Sequence, residues 1–388
     1  MYMRTTARNC ASSLLTTVVG LTFVGLVSVP AHAESIRSQQ WYLDAMHAEE
    51  MWKTSMGTGV TVAVIDSGVD ASISDLRGQV LEGRDFTGQP GGAHGDDTGH
   101  GTRMALFIAG TGKGDGTFGL APGAKILPLR AAGTRNSDAG VTAIASAIRY
   151  AADSDAKVIN ISLASPGQDP TETDAVNYAR SKGKLIFAGV GNSGDKGNPL
   201  QYPAATPGVV GVGAVDRQIK AAPWSEQGPQ VALAAPGTDM VAPCTDGTSG
   251  LCTSDGTSDA TALASASAAL IWSVHPDWTA NQVLRVLINT AGGPTNGEKR
   301  SDTIGYGVVR PRIALQNPGD PGPADVSPLA APSSSSPSPS ADAKPTATEE
   351  ASGGDGLLST RNMIAAGIGL VIALAVAISV LITRRRKA

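Results

Sequence analysis

The sequence predicts an α/β protein: a mostly parallel sheet with helices on both faces, followed by one membrane-spanning helix near the C-terminus. Three observations carry this reading. Short apolar runs alternate with segments of helical period through the middle of the chain, as a parallel sheet with crossover helices requires. The residues with catalytic chemistry fall at the carboxyl ends of those runs or at a helix start, where open α/β sheets collect their sites. Finally, Asn362 to Thr383 carries no charged residue and at helical rise extends about 33 Å, enough to cross a bilayer core.

The elements follow in chain order. Arg4 and Arg8 precede an uncharged apolar run from Leu14 to Val29, then Pro30 and Ala31-His32-Ala33; this is the pattern of a cleaved signal peptide over 1–33. The mature chain is expected to start at Glu34. Strands are expected at Gly59 to Ile65, Ile126 to Leu129, Val158 to Leu163, Leu185 to Val190 and Val209 to Val212. Helices are expected at Ala139 to Ala152, Thr171 to Lys182, Ser258 to Val274 and Thr279 to Thr290. With no internal repeat, 34–317 reads as one domain. The Pro/Ser-rich stretch 318–361, with APSSSSPSPSADAKP at its centre, buries too little apolar surface to offset its ordering entropy, and reads as a disordered tether. A spanning helix over 362–383 and a basic tail over 384–388 follow. Arg384, Arg385, Arg386 and Lys387 place that tail in the cytoplasm and the large domain on the outer face of a cell membrane.

A formal net charge of −4 with 16% charged residues gives no reason to expect nucleic acid as a partner. Cys10 leaves with the signal peptide. Cys244 and Cys252 then stand as an even pair in an oxidising compartment, for which a disulfide is the reading and two free thiols the alternative.

Three segments carry the chemistry: VAVIDSGVD around Asp66, TGHGTRMALFIAG around His100 and DGTSDATALASASAAL around Ser258. A serine hydroxyl becomes nucleophilic when an imidazole removes its proton, and that imidazole needs a carboxylate to fix its tautomer and balance its charge. Ser258 opens a helix, whose positive end and free N–H groups favour a developing oxyanion. His47, His94 and His275 lack any such setting and read as surface or helix-end residues. Asp96 and Asp97 read as solvated loop carboxylates, because no further oxygen-ligand motif accompanies them; no metal and no cofactor is expected.

These segments, in the order Asp, His, Ser, resemble the subtilisin-like serine proteases, from about Trp41 to about Leu315. The resemblance implies a subtilisin-like fold and peptide hydrolysis through an acyl-enzyme, with protein or peptide substrates. Asp66 matches the family's aspartate, His100 its general base and Ser258 its nucleophile, and Asn192 in FAGVGNSG matches the residue whose amide completes the oxyanion hole. Ser162, Leu163 and Ala164 match the segment that pairs with substrate as an added strand. Ala188, Gly189, Val190 and Gly191 match the opposite wall of the pocket for the residue before the cleaved bond, and their small size implies a roomy, uncharged pocket.

Several positions depart from the family. Asp259 follows the nucleophile where a small or apolar residue is usual, and its carboxylate favours imidazolium at His100. Ala262 and Ala266 replace a common Pro and Gly, Arg103 and Leu106 a usual His and Gly, and Ala164 a usual Gly. Glu34 to Gln40 leave no room for the folded inhibitory prodomain of many secreted relatives. Signal peptide, protease domain, linker, single span and basic tail together resemble the membrane-anchored mycosins of type VII secretion in actinobacteria. That narrower resemblance implies limited proteolysis of exported proteins and association with a secretion complex. The alternative is a scaffold that stabilises such a complex with little turnover.

Overall fold

The computed structural model describes residues 35–329 except 115, 133–139 and 245–249. The chain divides into two units, Met1–Ser333 and Ser334–Ala388, and every described residue belongs to the first. The expected signal peptide, membrane span and basic tail lie outside the described residues. Among the described residues no helix is long and apolar enough to cross a membrane.

Three short helices, α1 (Ile36–Gln39), α2 (Trp41–Ala45) and α3 (Ala48–Trp52), lead into β1 (Thr61–Asp66) and β2 (Arg84–Asp85). Then come α4 (His100–Ala109), β3 (Lys125–Arg130), α5 (Val141–Asp153), β4 (Val158–Ile161), β5 (Ser165–Pro166) and α6 (Pro170–Ser181). The strands β6 (Leu185–Gly189), β7 (Gln201–Tyr202), β8 (Val210–Val215), β9 (Val231–Pro236), β10 (Met240–Pro243) and β11 (Leu251–Ser254) follow, and α7 (Thr257–Val274), α8 (Ala280–Thr290) and α9 (Pro311–Gln316) close the described order. One sheet runs β2-β3-β1-β4-β6-β8-β9, every neighbouring pair parallel. This is the parallel α/β fold expected from the alternating pattern.

Side-chain alternation along β1 divides the interior. Val62 and Val64 join the core formed with α4, α7 and α8, while Ala63 and Ile65 join the core beneath α5 and α6. Each face therefore buries its own helices, as a parallel sheet demands. Helix α7 is buried along most of its length. Its run of Ala and Ser keeps it slim enough to lie against the sheet, and its Thr261 and Ser267 hydroxyls return to carbonyls one turn back and so cost no unpaired polar atoms. Asp169 caps α6, with Pro170 just inside it, and Thr279 with Gln282 forms a capping box on α8.

Among the places where the structure differs from the sequence reading, three bear most on the domain. The segment HGTRMALFIA forms α4, a helix the sequence reading did not expect there. Strand β9 is VALAAP, an alanine- and proline-bearing run with little β-propensity. The stretch expected to be unstructured from Pro318 onward is seated against α8 as far as Leu329. There Arg285 donates to the carbonyls of Pro323 and Val326, Gln282 reaches Gly322 O at 3.0 Å and Leu329 packs on the core. A single arginine with several donors satisfies carbonyls that proline leaves without strand or helix partners.

Candidate active site

Asp66 ends β1 and is buried. Its Oδ1 accepts the Ser67 N–H at 2.7 Å and His100 Nδ1–H at 2.7 Å. With Nδ1 donating, the ring presents Nε2 as its acceptor. His100 opens α4 directly after Gly99, which is left-handed at φ 71°. Gly101 follows because the first turn of α4 lies on the end of β1: a Cβ there would stand 2.2 Å from Gly68 O and 2.9 Å from Asp66 Cβ. Asp96 ties this corner together, accepting from Ser67 Oγ at 2.8 Å, Gly99 N at 2.8 Å and Thr102 N at 2.8 Å. Asp97 pairs at 2.7 Å with the fully buried Arg130. The two carboxylates read as solvated loop residues are thus partners of the loop that carries His100, because folding brings β3 and the start of α4 to the same corner.

Burial works against a charged His100 ring, but the Asp66 charge and hydrogen bond, with a further contribution from Asp259, outweigh it and hold the imidazole above its usual range. Its side chain keeps 34% of its surface exposed, so solvent screens part of that attraction.

Ser258 lies in the first turn of α7, after the extended Gly256. Its Oγ donates to Ser162 O at 3.4 Å, while the Ser162 hydroxyl donates to Ser258 O at 3.4 Å. Among the described residues no hydrogen bond joins Ser258 Oγ to His100, although both line one cavity. Asn192 follows β6, and its Oδ1 accepts both the N–H and the hydroxyl of Thr257 at 2.9 Å. Those two donors fix the amide orientation, with Nδ2 as its donor end. Thr257 also receives Gly191 N–H on its Oγ1 at 3.2 Å. The middle residue of Gly-Thr-Ser therefore joins the end of β6 to the start of α7, a role that only the packing reveals.

The cavity measures about 530 Å³ and brings together Asp66, His100, Asn192 and Ser258 with Ser162, Leu163, Ala164, Gly189 and Gly191. Ala188 and Val190 do not line it. They are buried in the core under α5 and α6, since alternate residues of one strand face opposite sides. Ala132 and Gln201 also line the cavity; sequence reasoning missed them, for neither stands in a catalytic motif.

A second cavity of about 190 Å³ adjoins the first at His100, Asn192 and Ser258 and is lined by Arg103, Ser254, Asp255, Gly256 and Asp259. Asp259 is only 2% exposed and accepts Ser254 Oγ at 2.9 Å. Burial pushes its carboxyl up to about 6, against smaller lowering by His100, Ser254 and Arg103. Cys244 and Cys252 form a disulfide across the antiparallel pair β10 and β11, the hairpin that leads through Asp255 into α7. His47 and His94 are exposed, and His275 stacks on Trp278 at the end of α7. Among the described residues no group of three or more His, Cys, Asp or Glu is placed to hold a metal ion.

The model of the Subtilase family matches residues 57–307. A thermophilic serine proteinase of Bacillus sp. (strain AK1) is 39% identical over 201 residues, covering 51% of this chain and 49% of that protein. This chain thus spans about half the length of that curated relative. Among solved structures, MycP1 from the ESX-1 type VII secretion system superposes with a TM-score of 0.66 at 30% identity, over 75% of this chain and 89% of that one. The MycP3 protease from the type VII (ESX-3) secretion system gives 0.61 at 32%, over 71% and 87%.

Proposed function

The chain belongs to the subtilase family, and from that premise we propose that it is a membrane-anchored serine endopeptidase acting outside the cytoplasm. Ser258 attacks the peptide carbonyl, and His100 takes its proton and returns it to the leaving amine. Asp66 holds the His100 tautomer and balances the imidazolium. Asn192 Nδ2 and the Ser258 N–H receive the oxyanion, and water releases the acyl-enzyme without a cofactor. The observation that carries this reading is the 2.7 Å Asp66–His100 hydrogen bond in the cavity that also holds Ser258 and Asn192.

Likeness to MycP1 and MycP3, described with type VII secretion systems, supports limited proteolysis of exported proteins and association with such a complex. The uncharged run 362–383 and its basic tail support anchoring with the protease outermost. A scaffold with little turnover is favoured by one observation, the Ser258 hydroxyl turned to Ser162 O. Catalytic hydrogen bonds often tighten only with substrate bound, however, and the protease reading stands.

Exposure of the full-length chain to a fluorophosphonate, read by intact mass, tests it. A single adduct that disappears in Ser258→Ala is expected. A folded chain that takes no adduct would instead support the scaffold.

A further inference from the structure

Glu226 lies between β8 and β9 and is 0% exposed. Both of its carboxylate oxygens are buried without a hydrogen-bond partner, and among the described residues no ion pair reaches it. Uncompensated burial of this kind is costly for a carboxylate. Its position is not remote. The Glu226 N–H donates to Gly191 O at 3.1 Å, and a Cβ on Gly191 would stand 2.5 Å from the carboxylate carbon and both oxygens. The acid therefore lies directly behind a wall residue of the catalytic cavity, at a position where only glycine fits.

A second residue links it to that cavity. Gln201 on β7 lines the space beside Ser258, and its side chain also adjoins the Glu226 carboxylate. Burial pushes that carboxyl up to about 7, and the Ser193 N–H and the Gln201 side chain lower it by less. Both are weak partners, for neither meets the oxygens in full hydrogen-bond geometry, so the acid keeps acceptor capacity. Meanwhile Gly189, Gly191 and Ala164 leave the cavity wall without bulk. A long side chain entering there would lay its methylenes along small residues and bring a terminal cation to the end where Gln201 and Glu226 stand.

We propose that Glu226 sets the specificity of this site, its carboxylate pairing through a displaced Gln201 with the lysine or arginine on the acyl side of the cleaved bond. The inference rests on the endopeptidase reading and refines it. It also changes the expectation from the motifs, which implied an uncharged pocket. The stretch APWSEQGPQ carries no signal that its glutamate returns to the cavity wall. An acid that packs only as a buried, protonated filler for the space behind Gly191 would have the same burial but would impose no preference on substrate.

Internally quenched peptides of one sequence, with Lys, Arg, Leu, Phe or Glu before the cut, distinguish the two when offered to the full-length chain. Lys and Arg peptides are expected to exceed the Leu peptide in kcat/KM by roughly 100-fold, the order of a buried charge pair. In Glu226→Gln that preference should collapse; in Gln201→Ala, which uncovers the acid, it should persist or grow. Equal rates for Lys and Leu peptides, or a Lys preference that survives in a folded Glu226→Gln, overturn the inference. Fluorophosphonate labelling of the same wild-type preparation separates the failures. An adduct at Ser258 without cationic preference overturns the role of Glu226 alone, whereas no adduct overturns the protease reading and this inference with it.

Discussion

Asp259 illustrates how one side chain beside the proposed nucleophile changes the chemistry expected of its neighbours. It stands immediately after Ser258, buried and held by the Ser254 hydroxyl, and its charge is among those that raise His100. His100 must be neutral to accept a proton, so activity is lost as pH falls through its pKa. A neighbouring anion raises that pKa and moves the acidic limb to higher pH. Asp259→Asn is therefore expected to shift the acidic limb of kcat/KM to lower pH than in the unaltered chain. Superimposable pH profiles for the two proteins would remove this role. The order of the motifs singled out Asp66, His100 and Ser258, which the structure brings to one cavity, and Asp259 stood out as a departure from them. Thr257, Gln201 and Glu226 stayed hidden because their roles depend on which strand end meets which helix start, a relation that no local pattern encodes.

At the scale of elements, the site is made by the junction of β1 with α4 and of β6 with α7. Each junction is close enough that side chains are excluded. Gly101 has no space for a methyl against Gly68 O and Asp66 Cβ, and a Cβ on Gly189 would stand 2.9 Å from Thr257 Oγ1. Gly101→Ala should thus destabilise the fold by about 2 kcal/mol, an overpacking cost. It should also separate His100 from Asp66 and slow fluorophosphonate labelling. An unchanged melting temperature with unchanged labelling would show that α4 accommodates the methyl. Helices with strong period or caps, α5, α6 and α8, were legible from the sequence to within a residue or two. Strands β9, β10 and β11 were not, for alanine, proline and cysteine contribute little to a strand pattern and their pairing is set by contacts distant in sequence. The disulfide of the β10–β11 hairpin agrees with the cysteine pairing read from compartment and parity.

The whole chain joins this domain to segments of a different physical character. Residues 317–329 lie along α8 under the hydrogen bonds of Gln282 and Arg285, so the departure of the chain from the domain is set by folded contacts and not by composition alone. Further along the sequence come a Pro/Ser-rich stretch and the uncharged run. If that run anchors the protein, the full-length chain will resist alkaline extraction from membranes, while a chain ending at Leu329 will be released. Full-length chain recovered in the soluble fraction would rule the anchor out.

The sequence by itself determined the α/β class, the order of the three motifs that meet in one cavity, and the cysteine pair. These properties are written in composition, periodicity and short contiguous motifs, which survive reading in one dimension. Only the tertiary structure decided that Asp96 and Asp97 brace the histidine loop, that Thr257 orients Asn192, that Ala188 and Val190 face the core, and that a buried glutamate stands behind a wall of the cavity. Each of these depends on residues far apart in the chain meeting at a packed junction, where exclusion of water and of side-chain bulk, and not local propensity, sets the chemistry.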